Sequence, residues 1–110
     1  MKGTYLGELE EFVLLTVAAL YDEAYGVSIK TELETRMGRS LSVGALHTAL
    51  RRLEEKGFLS SRLGEATAER GGKRKRFFRV TVFGHRALTE ARDLRSQLWN
   101  DVPPVAFDFS

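Results

Sequence analysis

Leu41-Ser42-Val43-Gly44-Ala45-Leu46-His47-Thr48-Ala49-Leu50-Arg51-Arg52-Leu53-Glu54-Glu55-Lys56-Gly57 is the stretch from which the rest of the chain is best read. Val43, Leu46, Leu50 and Leu53 recur at intervals of three and four, the period of a helix with one apolar face. Ser42 offers a side-chain acceptor to the unpaired N–H groups of a first turn, and Gly57 offers a stop, so the spacing predicts a helix over residues 43–56. Its opposite face carries Gly44, Ala45, His47, Thr48, Arg51 and Arg52. These are small or hydrogen-bonding residues near the start and cations further along, with no acid before Glu54. A helix that approaches base edges in a major groove about 12 Å wide needs such a face, because bulky side chains in its first turn would hold it off.

Upstream, Leu6, Leu9, Phe12, Val13, Thr16, Val17 and Leu20 recur every three to four positions and predict an amphipathic helix of about four turns, ended by Tyr21, Asp22 and Glu23. Ile29, Leu33 and Met37 predict a second helix that begins at Tyr25 or Gly26 and closes at Gly38, a residue suited to a left-handed cap. Downstream, residues 58–63 and 76–82 are short β-compatible runs rich in Phe and Val. The polar, glycine-bearing residues 64–75 between them predict a hairpin with a long tip. A last helix is expected after Thr81 as N-cap, with Ala87, Leu88, Ala91, Leu94, Leu98 and Val102 on one stripe, and Pro103-Pro104 ends it. Three helices, a two-stranded hairpin and a further helix is the order of a winged helix-turn-helix, mainly α with a small β-hairpin wing (α+β). The expected organisation is a DNA-binding domain over 1–81, an added helix over 82–102 and a tail over 103–110.

The 110 residues hold 17 Lys and Arg against 15 Asp and Glu, a net charge of +2 that implies no partner by itself. Along the chain the balance is uneven. Residues 1–41 hold four cations and seven acids (−3), residues 51–79 ten and four (+6), residues 80–110 three and four (−1), and residues 42–50 none of either. Arg70, Lys73, Arg74, Lys75, Arg76 and Arg79 crowd the expected hairpin without an acid between them. Flexible cations beside an uncharged helix face suit a duplex, where phosphates flank the groove and binding gains from counterion release.

The absence of cysteine excludes disulfide scaffolds, thiolate metal sites and cysteine nucleophiles. His47 and His85 stand 38 positions apart, the acids scatter over polar faces, and Gly71-Gly72 leads into cations rather than a helix. No metal, no cofactor and no enzymatic activity is therefore expected. The longest apolar run, residues 12–20, is too short for a membrane span, and no secretory leader fits, so a soluble cytoplasmic protein is expected.

Leu6-Gly7-Glu8-Leu9-Glu10, Ala24-Tyr25-Gly26-Val27-Ser28-Ile29, the stretch 41–57, Gly71-Gly72-Lys73-Arg74-Lys75-Arg76-Phe77-Phe78-Arg79-Val80-Thr81 and Gly84-His85-Arg86-Ala87-Leu88 together closely resemble the PadR family of winged-helix transcriptional regulators. The likeness spans residues 6–95 in the family's order and spacing. It implies a bacterial homodimeric repressor that binds a palindromic operator in double-stranded DNA, with the 43–56 helix for recognition and the hairpin as wing. The last helix would pack against its partner through Leu88, Ala91, Leu94, Leu98 and Val102. Two departures stand out: Ala45, His47 and Thr48 replace the family's usual Thr, Tyr and Pro, and Leu63 stands where Trp is frequent at the end of the first wing strand. Both leave the fold reading intact and bear on which operator is read, since base contacts specify while phosphate contacts position.

The expected DNA-binding set is Ser42, Gly44, Ala45, His47, Thr48, Arg51, Arg52, Lys73, Arg74 and Lys75. His47 would donate to a base or a phosphate, and Arg51 and Arg52 suit phosphate better than guanine. Tyr25 is expected to pack at the start of the second helix, with its hydroxyl reaching a phosphate as the alternative, and His85 to be structural or exposed. Trp99 lies at the edge of the last helix's stripe, where it would pack in the dimer seam or wall a cavity for a small aromatic or cationic effector. Arg95 falls within the stripe and would snorkel or pair with an acid across the dimer. The competing reading is a winged-helix protein-interaction module that uses the last helix and tail and never touches DNA.

Overall fold

A computed structural model describes residues 6–65 and 74–110; Arg70 and Lys73 of the expected wing lie outside them. The order is helix α1 (Glu8–Leu20), a 3-10 turn (Tyr21–Glu23), α2 (Gly26–Met37), α3 (Val43–Glu55), strands β1 (Leu59–Leu63) and β2 (Arg76–Val80), α4 (Val82–Asp101) and a last 3-10 turn (Pro104–Phe107). This is the winged helix-turn-helix with an added C-terminal helix, within a residue or two of the expected boundaries. The short differences have local causes. Phe58 still donates its N–H to the Leu53 carbonyl (2.9 Å) and so belongs to the helix end rather than to β1, and Thr81 turns from strand to cap.

α1 is the central helix. Val13, Leu14 and Val17 are wholly buried with Ile29 and Leu33 of α2, Leu46, Leu50 and Leu53 of α3, Phe58 just after it, and Leu59 and Phe78 of the hairpin. A helix with neighbours on several sides buries more than one stripe. Leu14, outside the expected series, is therefore fully covered, while Leu6, Leu9, Phe12 and Leu20 are only partly so.

The turn between α2 and α3 is fixed by Gly38, at φ +71°, and by Glu34, whose carboxylate accepts the N–H of buried Leu41 at 2.7 Å and the ammonium of Lys30 at 3.0 Å. Ser42 caps α3 by accepting the Ala45 N–H at 3.0 Å. β1 and β2 pair antiparallel, Leu59 opposite Val80 and Leu63 opposite Arg76. Phe78 donates its N–H to the Ala24 carbonyl (2.8 Å), which ties the hairpin to the start of α2.

Thr81 caps α4 by accepting the Gly84 N–H at 3.0 Å and donates its hydroxyl to the Gly57 carbonyl at 2.6 Å. α4 then leaves the body: Gly84 and Leu88 are buried, Ala91 is half-buried, and Leu94, Leu98 and Trp99 are exposed. Leu88, expected in the dimer seam, packs in the chain's own core. Arg95 donates to Glu11 of the same chain at 2.7 Å. The tail, left open by the sequence, forms the 3-10 turn that brings Phe107 against Trp99, ring centres 6.0 Å apart.

Candidate nucleic-acid interface

The start of α3, the start of α2 and the base of the hairpin enclose an open cleft of about 390 Å³. Tyr25, Lys30, His47, Arg74, Lys75 and Arg76 wall it, over a floor that includes Leu46 and Phe78. Each wall residue is held by its own local physics. Tyr25 precedes α2 as its N-cap, with its N–H donated to the Ser28 hydroxyl at 3.0 Å, and its ring meets Phe77 edge-on at 5.6 Å. Lys75 lays its ammonium 4.0 Å above that ring, a cation–π contact that places a wing cation over the start of α2.

Arg74 closes the described base of the hairpin. Its Nε donates to the Gly64 carbonyl at 2.6 Å, and the Gly64 N–H donates to the Lys75 carbonyl at 2.7 Å. Arg76 donates to the Ser61 hydroxyl at 3.0 Å, and that hydroxyl donates to Glu54 at 2.6 Å, so this cation is oriented without a direct ion pair among the described residues. Arg79 turns the other way, to Asp22, and this hydrogen bond holds its pKa above the usual arginine value.

Ser42, the cap of α3, and Gly44 and His47 within it are exposed, and Thr48 is half-buried. Ala45 is half-buried and packs partly against the core, so it contributes a shallow floor rather than a projecting group. Arg51 and Arg52 are exposed further along. Arg51 pairs with Glu55 at 3.3 Å across two exposed side chains, a contact worth little in water.

The structure thus brings His47, Arg74 and Lys75 to one cleft and adds Tyr25, Lys30 and Arg76, which the expected set omitted. Arg76 was visible in the sequence as part of the cation run. Lys30 and the cleft-lining role of Tyr25 depend on where α2 lies relative to the hairpin, for which sequence spacing carries no signal. Glu34 also matters indirectly: the Leu41 N–H first, then Lys30, keep its pKa below the usual glutamate range, so it holds the entry to α3 as an anion. Among the described residues no three His, Asp or Glu side chains gather as a metal site would require, and no helix is long and apolar enough to cross a membrane.

Comparison with known proteins agrees with this architecture. Residues 14–90 match the model of the transcriptional regulator PadR-like family. A PadR-like transcription factor from Bacteroides fragilis is similar in structure, with a TM-score of 0.72 and 23% identity over 84% of each chain. A PadR family transcriptional regulator from Eggerthella lenta shares 26% identity over 92% of this chain and 88% of its own, with a TM-score of 0.67. A PadR-like regulator from Bacillus cereus gives a TM-score of 0.68 at 18% identity over 84% of each chain. No curated protein sequence matches. With most of its length matched by the family model and its cation-walled cleft beside an uncharged helix start, the chain belongs to the PadR-like family of transcriptional regulators.

Proposed function

We propose that this protein is a homodimeric, ligand-responsive repressor that reads a palindromic operator through α3 and grips the flanking phosphates with the hairpin. The observation that carries this reading is the juxtaposition of an uncharged α3 start with Lys30, Arg74, Lys75 and Arg76 around one open cleft. In it, Ser42, Gly44, Ala45 and Thr48 let the helix sit close to base edges, and His47 donates to a base or a phosphate. Arg51, Arg52, Lys73, Arg74 and Lys75 neutralise phosphates. Residues 1–81 form the DNA-binding domain. Residues 82–102 build the dimer through Ala91, Leu94, Leu98 and Val102, and two copies present their α3 helices about 34–36 Å apart. Trp99, 68% exposed, borders the seam and is the side chain proposed to meet a small aromatic or cationic effector. The site of action is the cytoplasm, where the DNA is, and no catalytic step is assigned.

The test is an electrophoretic shift with duplex from upstream of the protein's own gene, at low and moderate salt. The parent retards a specific fragment at both. His47→Ala keeps low-salt binding but loses preference for that fragment over unrelated duplex, because a base contact is removed and the phosphate contacts stay. No retardation of any duplex at low salt overturns the reading in favour of a protein-interaction module.

A further inference from the structure

On the face of the molecule formed by α1 and α2 lies a second groove, of about 660 Å³, that the DNA-binding reading does not use. Phe12, Leu15, Ala19, Leu33 and Met37 make its apolar lining, with Leu15 46% exposed, and Arg36 and Arg39 stand among its lining residues. Arg36 is paired with Glu32 at 2.6 Å, whereas Arg39 has no carboxylate partner among the described residues. Glu8 and Thr16 complete the lining, so the groove is an apolar slot that carries guanidinium charge and one carboxylate.

A segment of matching chemistry exists in the same chain. After Pro103-Pro104, Phe107 and Phe109 flank Asp108, their rings 6.3 Å apart, and Phe109 is 85% exposed. The 3-10 turn and the packing of Phe107 on Trp99 hold these aromatics together, so little conformational freedom is given up when they dock. The segment is carried away from the body by α4, whose 20 residues span about 30 Å, and the molecule measures 61 Å along its longest axis. Leu94, Leu98 and Trp99 run along α4 as exposed apolar side chains and lead to the segment.

We propose that the aromatic segment 105–109 of each protomer docks in the α1–α2 groove of a second copy, Phe107 and Phe109 on the apolar lining and Asp108 against Arg39. The inference rests on the dimer reading above and extends it from α4 to a reciprocal exchange of tails. In a two-fold dimer the contact occurs twice. It covers aromatics that a single chain leaves in water, gives Arg39 an acid, and links α4 to the helices that carry the base-reading element. A docked tail therefore holds the two α3 helices at a fixed spacing.

The chain has no cysteine, so the pair Ser40→Cys and Ser110→Cys introduces the only two thiols. A short bifunctional maleimide is added to the double variant, its mass is followed by light scattering, and denaturing gels report linkage. A dimer that yields a covalent dimer band supports the exchange. A dimer that yields no covalent band, or a monomer-sized internally linked product, overturns the tail docking and leaves the α4 dimer standing. A monomeric mass overturns the underlying dimer reading itself. A charge exchange in the parent background gives an independent check. Arg39→Asp and Asp108→Arg each raise the dimer dissociation constant about five- to ten-fold, and their combination restores most of the affinity. Effects that simply add contradict the contact.

Discussion

Glu34 sets the entry to α3 through one carboxylate that binds both a backbone N–H and an ammonium. Its pKa is depressed in the folded protein, so its contribution to stability is present above the usual glutamate range and is lost as pH falls through the lowered value. Glu34→Gln is therefore less stable than the parent at neutral pH, with the gap closing on acidification. Urea unfolding at pH 7 and near pH 3 checks this, and a gap constant with pH refutes it. At Gly84 a Cβ would come within 2.3 Å of the Phe58 carbonyl oxygen, a backbone atom that cannot rotate away. Gly84→Ala should cost about 1–3 kcal/mol in denaturant unfolding, the range for overpacking. Ser42→Ala removes the cap on α3 and should cost about 1 kcal/mol. The capping roles of Ser42 and Thr81 and the stops at Gly38 and Gly57 were legible in the sequence because caps are local. Arg95 was not: its acid lies 84 positions away in sequence, and only the packing of α4 on α1 brings the two together.

At the scale of elements, the hairpin is fastened to α2 by the Phe78 to Ala24 hydrogen bond and by Lys75 above Tyr25. This separates holding a cation in place from supplying it. Tyr25→Leu keeps every charge and removes a cation–π interaction worth about 0.5–1 kcal/mol, so DNA affinity should fall only about two- to five-fold with its salt dependence unchanged. A flatter salt dependence in that variant would mean that Lys75, released from the ring, no longer neutralises a phosphate, and would contradict a purely positioning role for the tyrosine. The order of helices and strands followed from periodicity, since each helical stripe is several turns long. What periodicity could not divide was α4, where one stripe serves two surfaces. Leu88 enters the chain's own core, while Leu94 and Leu98 on the same stripe stay exposed. The stripe gives a direction around the helix but not the point along it at which the body ends.

For the whole molecule, the near-neutral net charge conceals a cleft walled by Lys30, Arg74, Lys75 and Arg76 and a helix that carries apolar side chains away from it. In the proposed division of labour the first surface meets phosphate and the second meets another copy. If the wing acts on DNA as charge, its removal must show in the salt dependence of binding. The most direct test measures the logarithm of affinity against the logarithm of salt concentration for the parent and for a triple variant carrying Lys73→Ala, Arg74→Ala and Lys75→Ala. Each phosphate left without its cation should flatten the slope by about 0.9, so a reduction of up to about 2.7 is predicted, with weaker binding to every sequence. An unchanged slope in a folded triple variant would contradict the charge role of the wing.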